Sequence, residues 1–436
     1  MEYERHMKEV YQDLDSTAEC DIRLFWKLVN KQKTRTSRTY PEIHDYNGSI
    51  HNDPESIAEA FAKHFEQIYT TSEDDTFDKQ FRQHIENSYT RIEEECTKMS
   101  GNIPGGPITV ENISTIISKL KRRKAPGPDR ITYEHIVFGG NQMLKCIAKL
   151  FNSIILHGKV PHAWKQGLIV PLYKGGDKPK TSTNSYRPVA LLSCFLKIFE
   201  SVLNSRISEH VLDKQTFPNK QQQGFQEKLG CLTASFNLQE TINYNLEQGS
   251  NVYVSFLDSS KAFDTVWRHG LLLKLYNLGV TNKLWSLIND CHNNTSSSIV
   301  VNQTQSRWFN VLQGVRQGGV LSSFLYLVFI NELIDTLQQS SMCTKLLNVA
   351  SNCPSLADDI SLVALTPNSL QDMLNVADRY SKKWRFKFNA NKSCILRFRS
   401  KGNRVNQAFV WTLGDTPVPR LDSCCHLGIV INCQNA

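Results

Sequence analysis

Asp258 and the adjacent pair Asp358 and Asp359 are the residues of this 436-residue chain whose types and setting point most directly to chemistry. Asp258 closes a β-branched and aromatic run, NVYVSFL at 251–257, which reads as a strand. The pair lies in PSLADDISLVAL at 354–365, which reads as strand, tight turn and strand with Ala357, Asp358 and Asp359 at the tip. Side chains alternate across a strand, but a turn relaxes that rule, so both tip carboxylates can approach one point. If the hairpin lies beside the 251–257 strand, three carboxylates meet at one edge of a sheet. Left uncompensated, such a cluster is pushed toward protonation. Divalent cations relieve it, and hard oxygen ligands with few histidines nearby favour Mg²⁺ over zinc. Two such ions about 3.5–4 Å apart stabilise both the attacking and the leaving oxygen in phosphoryl transfer. An Asp-Asp pair in a turn is by itself ordinary turn chemistry; the flanking apolar strands and the matching Asp258 lift it above that.

The elements that must position these residues follow from periodicity and punctuation. Asp53 reads as an N-cap and Pro54 as a first helical residue, with Ile57, Phe61, Phe65 and Ile68 at helical spacing over 54–70. Residues 71–103 read as a loop and a weak helix. Thr109 caps a helix that ends in the basic run 119–124, and KAPGPDR at 124–130 cannot continue it. A helix over 141–157 stops at Gly158. GLIVPLYK from Gly167 reads as a short strand pair, and Pro188 to Val211 as helix. Asp264 sits where an N-cap would precede the apolar positions Val266, Leu271, Leu272 and Leu275. Paired strands are expected near 298–301 and 307–312, helices over 320–338 and 367–385, and a strand near 393–399. Strands and helices in irregular order favour an α+β fold over a doubly wound parallel sheet.

Composition narrows the function classes. Fifty basic against 42 acidic residues give a formal net charge of +8, which suits a polyanionic partner without establishing one. A hydrophobic content of 40% excludes wholesale disorder. No apolar run reaches the roughly 18–20 residues of a membrane helix, and the charged start MEYERHMKEVYQDLD is no secretory leader. The 12 cysteines form no CxxC pair and no zinc spacing, so reduced thiols in an intracellular setting, nucleus or cytoplasm, are expected.

Eight segments in order resemble the reverse transcriptase of non-LTR (LINE-like) retrotransposons. They are KAPGPDRITYEHI (124–136), LIVPLYKGGDKPKTSTNSYRPVALLSCFLKIFE (168–200), QQGFQEKLGCLTA (222–234) and FLDSSKAFDTV (256–266), then GVRQGGVLSSFLY (314–326), SLADDISLVA (355–364), FKFNANKSCILRF (386–398) and HLGI (426–429). The resemblance implies a right-hand polymerase fold, with helical fingers and an antiparallel β-sheet palm carrying helices on one face. It implies an RNA template, a DNA primer, dNTP substrates and two Mg²⁺ ions, with Mn²⁺ as a substitute. It divides the chain into a linker-like lead-in (1–50), an N-terminal helical extension and start of the fingers (51–166), fingers (167–250), palm (251–400) and a primer-grip entry with the thumb truncated (401–436). The chain then reads as a fragment lacking the endonuclease and most of the thumb.

By the same resemblance Asp258 and Asp358 would bind both metals, with Asp359 assisting. Phe263 would be the ring that excludes a ribose 2′-OH. Lys174 and Arg187 would hold the triphosphate. Gln317 would meet the sugar and base edge, and Gly318 would let the backbone approach. Lys392 would protonate departing pyrophosphate. Arg122, Arg123 and Lys124 would touch template phosphates, and Leu356, where the family carries an aromatic, would pack beside the primer end. Ser323, Ser259 and Gln226 also depart from the family's pattern, and none of these changes removes a metal carboxylate. The implied reaction is nucleotidyl transfer from a dNTP to a primer 3′-OH. The alternative is a catalytically inactive remnant that binds nucleic acid weakly. An RNA-directed RNA polymerase would share the carboxylates but is disfavoured by Phe263.

Overall fold

The computed structural model describes residues 40–45, 47–71, 74–99, 101–212, 216–339, 344–400 and 409–433. Most of the expected lead-in 1–50, with its basic stretch Lys31, Lys33, Arg35 and Arg38, lies outside the described residues, as do 401–408 and 434–436 of the C-terminal segment.

The helical start and stop signals hold. Helix α1 spans Pro54–Tyr69, and the Asp53 carboxylate accepts from the backbone N–H groups of Glu55 and Ser56, satisfying two of its unpaired donors. The expected weak helix is a 20-residue one, α2, Lys79–Lys98, capped by Asp78. Few of its residues are apolar, but Ile85, Tyr89, Ile92 and Cys96 make one buried stripe. Helix α3, Val110–Ser118, begins in a Thr109/Asn112 capping box. Helix α4, Gly140–His157, ends at Gly158 in the left-handed region.

The next segment corrects the sequence reading. Residues 166–173 form one strand, β1 (Gln166–Tyr173), whose antiparallel partner is β2, Tyr186–Leu191. Helix was expected from Pro188; instead β2 runs to Leu191 and helix α5 covers Cys194–His210. Pro188 cannot donate to a ladder, and it lies opposite another proline, Pro171, where neither N–H is needed. Helix α6 (Cys231–Glu247) and strand β3 (Val252–Leu257) follow, then helices α7 (Arg268–Asn277) and α8 (Asn282–His292). Strands β4 (Ser296–Val301) and β5 (Phe309–Asn310) are paired, as expected. Helix α9 (Ser322–Gln339), strands β6 (Ser355–Leu356) and β7 (Asp359–Ala364), helix α10 (Pro367–Lys383) and strand β8 (Cys394–Phe398) complete the part that matters for the site.

Helices and sheets are mixed without βα alternation, as an α+β fold requires. One sheet is antiparallel throughout, in the order β6-β7-β3-β8. A second, five-stranded sheet joins β2, β1, β4, β5 and the short strand Thr304–Gln305, with β1 and β4 parallel. Every residue of β3 is buried. Tyr253 and Leu257 pack with Met373, Leu374 and Ala377 of α10, while Val252, Val254 and Phe256 pack with Leu238 and Ile242 of α6. Helices therefore cover both faces of this sheet, where one was expected. This explains why an antiparallel strand reads as a continuous apolar run. Each fully buried side chain of that size is worth about 1.5–3 kcal/mol, but a one-residue slip of β3 would only exchange two apolar faces, so shape rather than polarity must tell one register from the other.

Candidate active site

The site begins where β3 ends. Register pairs Leu257 with Ile360 and Phe256 with Ser361, so one step further along the ladder sets Asp258 beside Asp359. The Asp258 backbone is tied on its other side: its N–H donates to Ser393 Oγ at 3.1 Å and its carbonyl accepts from Asn389 N–H at 2.8 Å.

The β6–β7 turn is equally determined. Ala357 has φ +57°, and its N–H donates to Gln222 Oε1 at 2.7 Å while Gln222 Nε2 donates to its carbonyl at 3.2 Å. Gln222 is 1% exposed and also accepts from Gly224 N–H at 2.7 Å. A Cβ on Gly224 would lie 2.3 Å from the Ala357 nitrogen, so only glycine fits there. The segment 221–224 is thus a clamp on the turn that carries Asp358. Sequence reasoning quoted that segment but gave Gln222 no role, because a buried glutamine carries no sign of its partner.

Asp258 and Asp358 line one cavity of about 590 Å³. Lys174, Arg187, Lys392, Phe263 and Gln317 share its wall, so seven of the expected residues are brought together. Asp359 instead lines an adjoining cavity of about 450 Å³ with Asp258, Lys392 and His426. Asp258 borders both cavities and so links Asp358 to Asp359. Among the described residues no three His, Cys, Asp or Glu side chains form a group that could hold a metal ion. Electrostatics nevertheless mark the site. Burial raises the Asp358 carboxyl above its ordinary value and the Asp258 charge adds to that, with Arg187 opposing. Burial, Asp358 and Asp258 together raise Asp359 to about 6. This is the penalty a divalent cation would remove, and oxygen donors of this kind fit Mg²⁺ or Mn²⁺.

The same cavity also carries cations. Lys174 follows β1, donates to the Asn184 carbonyl at 2.6 Å, and is lowered from its ordinary value by burial and then by Lys178, Lys392, Lys261 and Arg187. Arg187 projects from β2 and is exposed. Phe263 is half-buried, stacked on Tyr326 at 4.6 Å and met edge-on by Phe225 at 6.0 Å. Its ring is held, which a size-excluding wall needs.

One expectation changes, at Asp264, and the remaining predicted residues are placed as follows. Asp264 does not cap α7, which starts at Arg268 after Trp267; its carboxylate is buried and accepts from Tyr69 and Gln317. Gly318 serves the close approach to β2: a Cβ there would lie 2.3 Å from the Ala190 carbonyl oxygen. Arg122, Arg123 and Lys124 are exposed and away from the cavity wall; Arg122 lies 5.2 Å over the Phe138 ring and the Arg123 N–H donates to Glu134. Leu356 pairs with Asp359 across the turn. The sequence reading missed His64 and Lys261, which also line the cavity. His64 lies among the apolar positions of α1 and shows no motif. A further cavity of about 570 Å³, bordered by Arg82, His162 and Arg385, carries no carboxylate pair.

No helix among the described residues is long and apolar enough to cross a membrane. The family profile described as reverse transcriptase (RNA-dependent DNA polymerase) matches residues 178–430, more than half of the chain. The RNA-directed DNA polymerase from mobile element jockey of Drosophila melanogaster is 28% identical over 351 residues, covering 79% of this chain and 36% of that protein. Its counterpart in Drosophila funebris is 26% identical over 433 residues, covering 97% of this chain and 44% of the other. The probable RNA-directed DNA polymerase from transposon X-element of Drosophila melanogaster is 25% identical over 420 residues, 93% of this chain and 43% of that one. The chain thus spans under half the length of these relatives.

Proposed function

We propose, from the premise that this chain belongs to the reverse transcriptase (RNA-dependent DNA polymerase) family, that it copies an RNA template by adding deoxynucleotides to a primer 3′-OH. The observation that carries this reading is the single cavity that Asp258 and Asp358 share with Lys174, Arg187 and Lys392. A triphosphate is polyanionic, and its reactive phosphorus must lie between cations that hold the tail and carboxylates that face the attacking oxygen. Arg187 suits a forked contact to phosphate oxygens and Lys174 a point charge. Lys392 borders both cavities and would give a proton to pyrophosphate as it leaves. Phe263, braced by Tyr326, would reject a 2′-hydroxyl, and Gln317 would meet the sugar and base edge.

Asp258 and Asp358, with Asp359 beside them, would hold divalent metal. When bound, Mg²⁺ would supply Lewis-acid activation of the 3′-OH and stabilise charge on the phosphoryl oxygens. In this reading β1, β2 and the helices around them are fingers, the antiparallel sheet is the palm, and 423–432 enters the primer grip. Arg122, Arg123 and Lys124 would lie along template phosphates, with Leu356 near the primer end. The competing idea of an inert nucleic-acid-binding remnant is not favoured by a cavity that keeps both carboxylates and three of the expected cations.

Primer extension by the chain on a primed RNA with dNTPs and Mg²⁺ tests the proposal. Template-directed product is expected; no product on either an RNA or a DNA template would overturn it.

A further inference from the structure

The cavity has a wall supplied from outside the segment that the family profile matches. Tyr69, the last residue of α1, is 4% exposed, and its hydroxyl donates to Asp264 Oδ1 at 3.0 Å. Asp264 is equally buried, at 4% exposed. Gln317 Nε2 lies 2.9 Å from each oxygen of that carboxylate. The surrounding backbone fixes the three groups against one another. The Tyr69 carbonyl accepts from the N–H groups of Leu312 and Gln313 at 3.0 and 3.2 Å, and Gln313 Nε2 donates to the Ile68 carbonyl at 2.7 Å. The Gln317 carbonyl accepts from Ala190 N–H at 2.7 Å, and a Cβ on Gly314 would lie 2.5 Å from the Asp264 carbonyl oxygen.

A free glutamine amide has two orientations that differ by a flip, one presenting a donor and the other an acceptor. A carboxylate accepts only, so an amide beside Asp264 must turn its NH₂ toward it. Gln317 lines the cavity, and its remaining polar atom, Oε1, is the one left for a ligand. Burying a carboxylate without a cation costs free energy unless donors satisfy it, and Tyr69 and Gln317 supply them. The arrangement has no evident use as a helix cap, since α7 begins four residues later.

We propose that Tyr69 and Asp264 are positioning residues which hold the Gln317 amide with its carbonyl toward the cavity, so that α1 takes part in selecting the incoming nucleotide. The nucleotide group that meets Gln317 must then be a hydrogen-bond donor. This inference rests on the cavity being the dNTP site.

A double-mutant cycle in the full chain tests it. Tyr69→Phe keeps the ring and its packing and removes only the hydroxyl; a single cooperative melting transition, lowered by no more than a few degrees, checks the fold. Losing one hydrogen bond of this kind changes an equilibrium by about 3–10-fold. Tyr69→Phe is therefore expected to raise the KM for dNTP by about that factor while kcat changes less than about twofold. Gln317→Ala raises KM at least as much, and Tyr69→Phe added to Gln317→Ala raises it no further. A Tyr69→Phe enzyme with wild-type KM, or the same factor appearing in the Gln317→Ala background, would overturn the proposal. If the wild-type chain makes no product, the polymerase reading fails first. The same cycle is then read as equilibrium dNTP affinity, where additivity, or no binding at all, overturns the positioning role as well.

Discussion

The two sheets that border the cavity supply opposite charges by different physical routes. The antiparallel sheet delivers its acids through backbone register: β3 is buried on both faces, its ladder with β7 is fixed by apolar side chains, and Asp258 and Asp358 lie where those strands end. The mixed sheet delivers its cations through long side chains at a rim. Lys174 follows β1, and Arg187 projects from an exposed position of β2. One side is thus positioned by the core, at an electrostatic cost visible in the raised Asp358 and Asp359 carboxyls. The other is positioned at a rim, with Arg187 exposed to water and Lys174 partly buried. Changes on the acid side should accordingly affect the chemical step, and changes on the cation side should affect binding.

The largest expected effect is at Asp358. Asp358→Asn keeps the shape and removes the charge, so single-nucleotide incorporation should fall on the order of 10³-fold, the scale of removing one electrostatic contact made to a transition state. The variant should melt no lower than the wild type, because a carboxylate whose burial is unfavourable has been neutralised. Retention within tenfold of wild-type turnover would break the assignment of acids to chemistry. Next is the clamp. Gln222→Ala removes hydrogen bonds to the N–H and carbonyl of Ala357 and to the N–H of Gly224. Leaving such buried groups unpaired costs about 1–3 kcal/mol each, so a melting-point drop together with roughly 100-fold slower turnover is expected. A stable variant with normal kcat would show that the turn needs no support. Smaller again is Arg187→Lys, which keeps the charge and loses the fork. KM for dNTP should rise roughly tenfold with kcat nearly unchanged; a kcat effect larger than the KM effect would erase the distinction between the two sheets.

The same contrast explains what could be read from the residues alone. Asp258, Asp358 and Asp359 were legible because strand ends and turns leave local signatures: a β-branched run that stops, and a short polar tip between two such runs. Helices with caps, such as α1 and α3, were legible for the same reason. Arg187, Gln317, Lys174, Lys392 and Phe263 needed the family resemblance, since a lone cation or glutamine carries no local mark of its partner. The rest required three dimensions. Asp264 looks like a cap until Tyr69, 195 residues earlier, is seen to donate to it. Gln222 looks like part of a polar turn until Ala357, 135 residues later, fills its hydrogen bonds. The two-sided cover of the antiparallel sheet was missed because α6 carries an apolar stripe too short to stand out. The Pro188 strand was missed because proline argues against a ladder position, and nothing local shows that β2 lies at the edge of its sheet, opposite another proline.

A final and smaller effect sharpens the contrast through protons. His64, on α1, lines the same cavity, and its pKa is lowered to about 4, first by burial and then by Lys261 and Lys174. In the unfolded chain the same imidazole titrates near 6.5. Between those values the unfolded chain binds a proton that the folded chain refuses, so stability from this group is complete above about pH 6.5 and drains away as pH falls toward 4. The loss amounts to roughly 3 kcal/mol at pH 4. His64→Gln, which cannot titrate, removes that loss. Its melting temperature should match the wild type's at pH 7.5 to within whatever constant offset the substitution brings. It should then exceed the wild type's by a few degrees as pH approaches 4. Melting curves that stay parallel across this range would mean that His64 accepts a proton in the fold as readily as in water. Neither burial nor the charges of Lys261 and Lys174 would then weigh against protonation, and the imidazole would be open to water.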